Sequence, residues 1–209
     1  LLEMREQMKE MVFEWLICIL CASVLMIIHE MVKTAIYLLQ KRRMHQKAAF
    51  SHSMWAVYRY IDPIGLILAV VSNVPFSKPF MFRVRDKKTN LVMGISGFCI
   101  LVAVFAFCIC SLHFDLFGLG SILQQNPNCL WAKGVVLAGQ YMAILSFGMF
   151  VANLFPVSVF DMGLIVAGIS AKKYLQIIKR DAVIKMLLIV VLLLNLIAQA
   201  GYCLLYVLV

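Results

Sequence analysis

The sequence predicts an all-α polytopic membrane protein of about four transmembrane helices plus a re-entrant segment, and three observations predict it. Of the 209 residues, 64% are hydrophobic and 14% charged, with a mean hydropathy of +0.95; that balance is foreign to a water-soluble domain. Several apolar runs approach or exceed the roughly 20 residues that cross a bilayer as a helix. The 19 Lys and Arg residues fall in short blocks between those runs, as topology signals do, so the partners expected are the lipid bilayer and other membrane proteins, with no nucleic acid.

Residues 1–11, "LLEMREQMKEM", place Met4, Met8 and Met11 among charges and read as an amphipathic interfacial segment. Residues 12–209 read as a single membrane domain. Its first helix is expected over 12–39 and ends on the basic "QKRRMHQK"; it is too long and too rich in ionisable groups for a cleavable signal peptide, and none is expected. Residues 61–76 are apolar but short, bounded by Pro63 and Pro75. Further spans are expected at 91–113, 132–155 and 183–209, with the shorter piece "MGLIVAGIS" between the last two.

Charge placement predicts the topology. Lys41, Arg42, Arg43, Lys47 and Arg59 lie in one loop, Lys78, Arg83, Arg85, Lys87 and Lys88 in a second, and Lys172, Lys173, Lys179, Arg180 and Lys185 in a third. The 113–131 connection is almost free of bases, with Lys133 just beyond it. The positive-inside rule assigns the three basic loops to the cytoplasm and 113–131, with both termini, to the outside. Residues 61–76 then enter and leave on one side, which a broken backbone tolerates where protein buries it. Residence in a bacterial cytoplasmic membrane is the expectation.

Of the seven cysteines, Cys18, Cys21, Cys99, Cys108, Cys110 and Cys203 sit in apolar runs and read as small packing residues. The Cys18-x-x-Cys21 spacing has no second pair or neighbouring His to suggest metal or redox work.

Polar residues inside the apolar runs carry the functional argument. His29, Glu30 and Lys33 stand in "MIIHEMVKTAIYLL", with His29 and Lys33 four apart on one helix face. Asn153, Pro156, Asp161 and Gly163 stand in "ANLFPVSVFDMG". Ionisable groups at such depth cost about 2.5–3.5 kcal/mol each and take partners inside the protein. Alone, each set has a structural explanation: Lys33 snorkelling to the headgroups, Asp161 capping a short helix.

Together, "HExxK" and "NxFPxxxxDxG" resemble the site-2 protease family of intramembrane zinc metalloproteases, which pairs an HExxH helix with an NxxPxxxxDG segment. "IDPIG" at 61–65, "FSKPF" at 76–80 and "GISGF" at 94–98 agree with intermediate features of that family, so the resemblance covers roughly residues 20–170. It implies a site-2-protease-like core in which His29 and Asp161 hold zinc, Glu30 acts as general base, and Asn153 holds the backbone of a substrate bound as an unwound strand beside the re-entrant piece.

Lys33 stands where the family's second zinc-binding His belongs. An ammonium has no lone pair to give and is repelled by a divalent ion. His45 and His52, both in the first cytoplasmic loop, are the replacement ligands the sequence offers, together with a deprotonated Lys33. The favoured expectation is a zinc-free pseudoprotease in which Lys33 and a protonated His29 balance Glu30 and Asp161, and which binds a transmembrane or membrane-anchored protein or peptide in the former substrate groove. The alternative is an active intramembrane zinc metalloprotease with a non-standard ligand set; a transporter or channel component ranks third.

Overall fold

The computed structural model describes residues 2–45, 56–79, 86–126 and 129–209. His52, Lys47, Arg83 and Arg85 lie outside the described residues. Among those described, the chain is helical, with no strand beyond one isolated β-bridge.

Helix α1, Leu2–Arg43, has no Gly or Pro along its length. It runs about 63 Å at 1.5 Å per residue, twice the hydrocarbon thickness. The expected interfacial segment at 1–11 is therefore not a separate piece: residues 2–11 are the first turns of the same helix, because nothing in the sequence breaks the backbone ladder between them and residue 12. Helix α2, Pro63–Ser72, starts with Pro63 in its first turn and with the Asp62 side chain accepting a hydrogen bond from the Ile64 amide at 3.1 Å. It ends at Asn73, whose φ of 53° is the left-handed conformation that Asn tolerates better than most residues.

The chain then returns extended. Ile61 bridges Ser77 antiparallel, and the Lys78 amide bonds the Tyr60 carbonyl at 3.0 Å. The two ends of the 61–76 segment thus meet, so that the segment forms a hairpin of one helical and one extended limb. Gly65 lets the limbs close: a Cβ there would collide with the backbone of Phe76.

Helix α3, Lys87–His113, and helix α5, Leu130–Leu154, are long and apolar enough to span, matching the spans expected at 91–113 and 132–155. Between them lies the short α4, Leu119–Gln125. Helix α6, Asp161–Ile169, covers the "MGLIVAGIS" piece and is too short to cross.

The span expected at 183–209 is not one straight helix. It is divided between α7, Ala171–Leu193, and α8, Leu196–Leu208, bent by 53° at Asn195, another Asn in the left-handed region (φ 53°). Among the described residues, three helices meet the length and composition of a span, or four if this bent pair counts as one.

Helices α1, α3 and α5 form the centre of the bundle around Cys18, Cys21, Ala22, Leu25, Leu101, Leu145 and Met149. Cys18 and Cys21 are buried there and Cys108 is buried on α3, all free thiols, as the packing reading expected; Cys99, Cys110 and Cys203 are exposed, and for them that reading does not hold.

Described parts of the basic blocks come near one another around the start of α3. Asp86 caps α3 by accepting hydrogen bonds from the Thr89 hydroxyl and amide, which with the nearby Lys41 hold its carboxyl below the usual range. Gly168 near the end of α6 packs on the Lys87 carbonyl, just before α7 opens with Lys172 and Lys173.

If closure of the hairpin depends on Gly65, Gly65→Ala should destabilise the protein by about 1–3 kcal/mol in a detergent unfolding titration followed by circular dichroism. Ile67→Ala on the exposed face of α2 should stay within about 0.5 kcal/mol; equal effects of the two would contradict the hairpin packing.

Candidate functional site

The site is assembled where α1, the 61–79 hairpin, α3 and α6 meet. His29, Glu30 and Lys33 leave α1 on neighbouring faces one turn apart, as the i, i+4 spacing anticipated. Their exposures are 1%, 2% and 3%, and that of Asp161, at the start of α6, is 0%. Leu25 and Met26 close the site on one side; Tyr37, Met93 and Leu164 form an apolar cluster on the other. In such surroundings, charges interact strongly and an unpaired one is costly.

The four side chains lie in direct contact with one another. His29 Nε2 lies 2.8 Å from Asp161 Oδ2, and Lys33 Nζ lies 2.8 Å from Asp161 Oδ1 and 3.0 Å from Glu30 Oε1. The Lys33 contact with Oδ1 is an ion pair without hydrogen-bond geometry, which leaves Oδ1 with no hydrogen-bond donor. Glu30 Oε1 also accepts from the Ser77 hydroxyl at 2.8 Å and lies 3.2 Å from His29 Nδ1. With the Ser77 proton directed at Glu30, both imidazole nitrogens face acceptors, the arrangement an imidazolium satisfies. A protonated His29, the expectation from the sequence, would set two cations against the two carboxylates.

Backbone features place Asp161. The Asn153 side chain accepts from the Asp161 amide at 3.2 Å and donates to the Met149 carbonyl at 2.9 Å, tying the start of α6 to the end of α5. Both ends of that amide are engaged within the chain, so in this structure Asn153 acts on Asp161. Gly163 leaves room for the Val157 carbonyl in the turn between α5 and α6. On α3, a Cβ at Gly97 would collide with the Asp161 carboxylate, and one at Gly94 would crowd its backbone carbonyl and Ile165.

Ser77 and Gly97 are site residues that sequence reasoning did not single out as such. The signal for Ser77 was the Ser in "FSKPF", where the resembled family has Ala. For Gly97 it was "GISGF", in which two glycines stand three apart.

His45, exposed beyond the end of α1, is about 18 Å of helix rise from Lys33 and does not join the cluster. His113 is at the opposite end of α3 from the basic blocks and is exposed.

The zinc that the resemblance implies does not fit these residues. His29 and Asp161 are bonded to each other, and the remaining Asp161 oxygen faces an ammonium where a third ligand would have to stand. Among the described residues, no group of three or more His, Cys, Asp or Glu side chains could hold a metal ion. No protein-family model, curated protein or solved structure matches the chain.

Lys33→Met should destabilise the fold by about 3–5 kcal/mol, since it leaves two buried carboxylates facing one imidazole. Adding Glu30→Gln in that background should recover part of the loss. Unfolding titrations of the single and double variants measure both, and a Lys33→Met chain as stable as the native one would refute the pairing. Gly97→Ala, which displaces the Asp161 carboxylate, is expected to cost about 1–3 kcal/mol in the same assay.

Proposed function

We propose that this chain is a site-2-protease-like membrane protein in which an ion cluster stands in place of a zinc centre, and that it binds a transmembrane or membrane-anchored protein in the former substrate groove without cutting it. The observation that carries this reading is the position of Lys33. At the place of the family's second zinc-binding histidine, its ammonium bridges Glu30 at 3.0 Å and Asp161 at 2.8 Å.

Hydrolysis needs a carboxylate free to draw a proton from water. Glu30 Oε1 is instead surrounded by Lys33, Ser77 and His29, and Asp161 is held between His29 and Lys33. What these residues do is hold α1, the hairpin and α6 in one arrangement, as a shared metal ion would. The partner reading draws on the surface beside the site. Ile64, Ile67 and Val71 form an apolar row at i, i+3 and i+7 on α2, each more than 60% exposed. A hydrophobic segment lying in the bilayer can cover such a row beside the extended limb of the hairpin.

Elemental mass spectrometry of the detergent-purified chain and of a Lys33→His variant tests the proposal. The native chain should carry no zinc, and the variant about one per chain, because the second imidazole restores a three-ligand set. Stoichiometric zinc in the native chain would overturn the pseudoprotease reading in favour of an active metalloprotease with another ligand. Zinc in neither would remove the protease frame itself.

A further inference from the structure

We propose that the end of the bundle away from the ion cluster holds a site for a cationic amphiphile, with its hydrocarbon tail in a cavity between α3, α4 and α5 and its head in an adjoining acidic vestibule. The cavity measures about 440 Å³ and is walled by Phe107 and Leu112 of α3, Leu119 and Leu123 of α4, and Val135 and Met142 of α5. That volume falls within the range of small-molecule sites, about 300–1,000 Å³. Gly97 and Leu112 are about 22 Å of helix rise apart, so this site is independent of the ion cluster.

A second cavity, about 340 Å³, shares Leu123, Val136 and Gln140 with the first and opens beside Glu10 and Glu14 of α1 and Lys133 of α5. Asp115 lines the first cavity, where both its oxygens accept from the Gly120 amide, at 3.1 and 3.0 Å, and so hold α4 over the apolar chamber. At the vestibule Glu10 and Glu14 face Lys133, two carboxylates against one ammonium in a chain whose net charge is +9, while Asp115 belongs to the wall of the first cavity. An apolar chamber continuous with a negative mouth complements an alkyl chain ending in a cation, and it repels a fatty acid of the same length.

Electron spin resonance of the full chain in phosphatidylcholine bilayers tests this, using a spin-labelled alkyl trimethylammonium and a spin-labelled fatty acid of equal length. The motionally restricted fraction should favour the ammonium by about fivefold, the upper range for an exposed ion pair. Glu10→Gln with Glu14→Gln, both at exposed positions, should abolish the preference. Val136→Trp should lower restriction of the ammonium by filling the junction of the two cavities. Equal restriction of the two labels by the native chain, or a preference that survives the double Gln variant, would overturn the head-group assignment; restriction unchanged by Val136→Trp would overturn the cavity assignment.

Discussion

The pairing of Lys33 and His29 with Glu30 and Asp161 is the constraint on which the rest of the structure depends. Three of these groups stand on a helix long and apolar enough to cross a membrane, where each costs about 2.5–3.5 kcal/mol to insert unless it finds a partner. The fourth, Asp161, comes from a turn more than a hundred residues later, so the pairing holds only if α6 is brought against α1 and α3. Gly94 and Gly97 make that approach possible, Asn153 fixes the first amide of α6, and Gly163 lets the preceding turn close. The buried polar residues of this region thus serve one end, neutralising charge in an apolar interior.

A buried ion cluster is weak evidence of added stability, because well-packed apolar side chains often do as well or better. Its distinctive effect is on geometry. Leu and Val side chains would pack α1 against α6 in several near-equivalent registers, whereas the two oxygens of Asp161 meet a ring nitrogen and an ammonium from successive turns of α1 in one. The same cluster reaches the hairpin through Ser77, which binds Glu30 at 2.8 Å. One set of charges therefore positions three separate elements.

Much of this was legible in the sequence. Helices α3 and α5 follow from their apolar runs, and the hairpin followed from charge: two basic blocks flank a segment too short to cross. His29, Glu30, Lys33 and Asp161 were legible because ionisable residues in apolar runs are expensive, and the structure does bring them together. What was not legible depends on tertiary or single-residue detail. The bend at Asn195 lies in a leucine-rich run without Gly or Pro, so hydropathy reads straight through it. Helix α4 is too short for its periodicity to register, and residues 2–11 looked separate only because their composition changes while the backbone does not. The roles of Ser77 and Gly97 appear only once the hairpin and α3 are placed beside Glu30 and Asp161.

The placement of Asn153 shows how the chain uses its own polar groups around the cluster. Its amide is used at both ends, by Met149 and Asp161, and Oε1 of Glu30 is surrounded by donors. These groups make those bonds with one another, and the result is mechanical: α1, the hairpin and the start of α6 are held in fixed relation. The exposed apolar row of α2 lies on the hairpin limb opposite Ser77 and outside this closed set. The cluster reaches that surface through Ser77, by holding the hairpin in place.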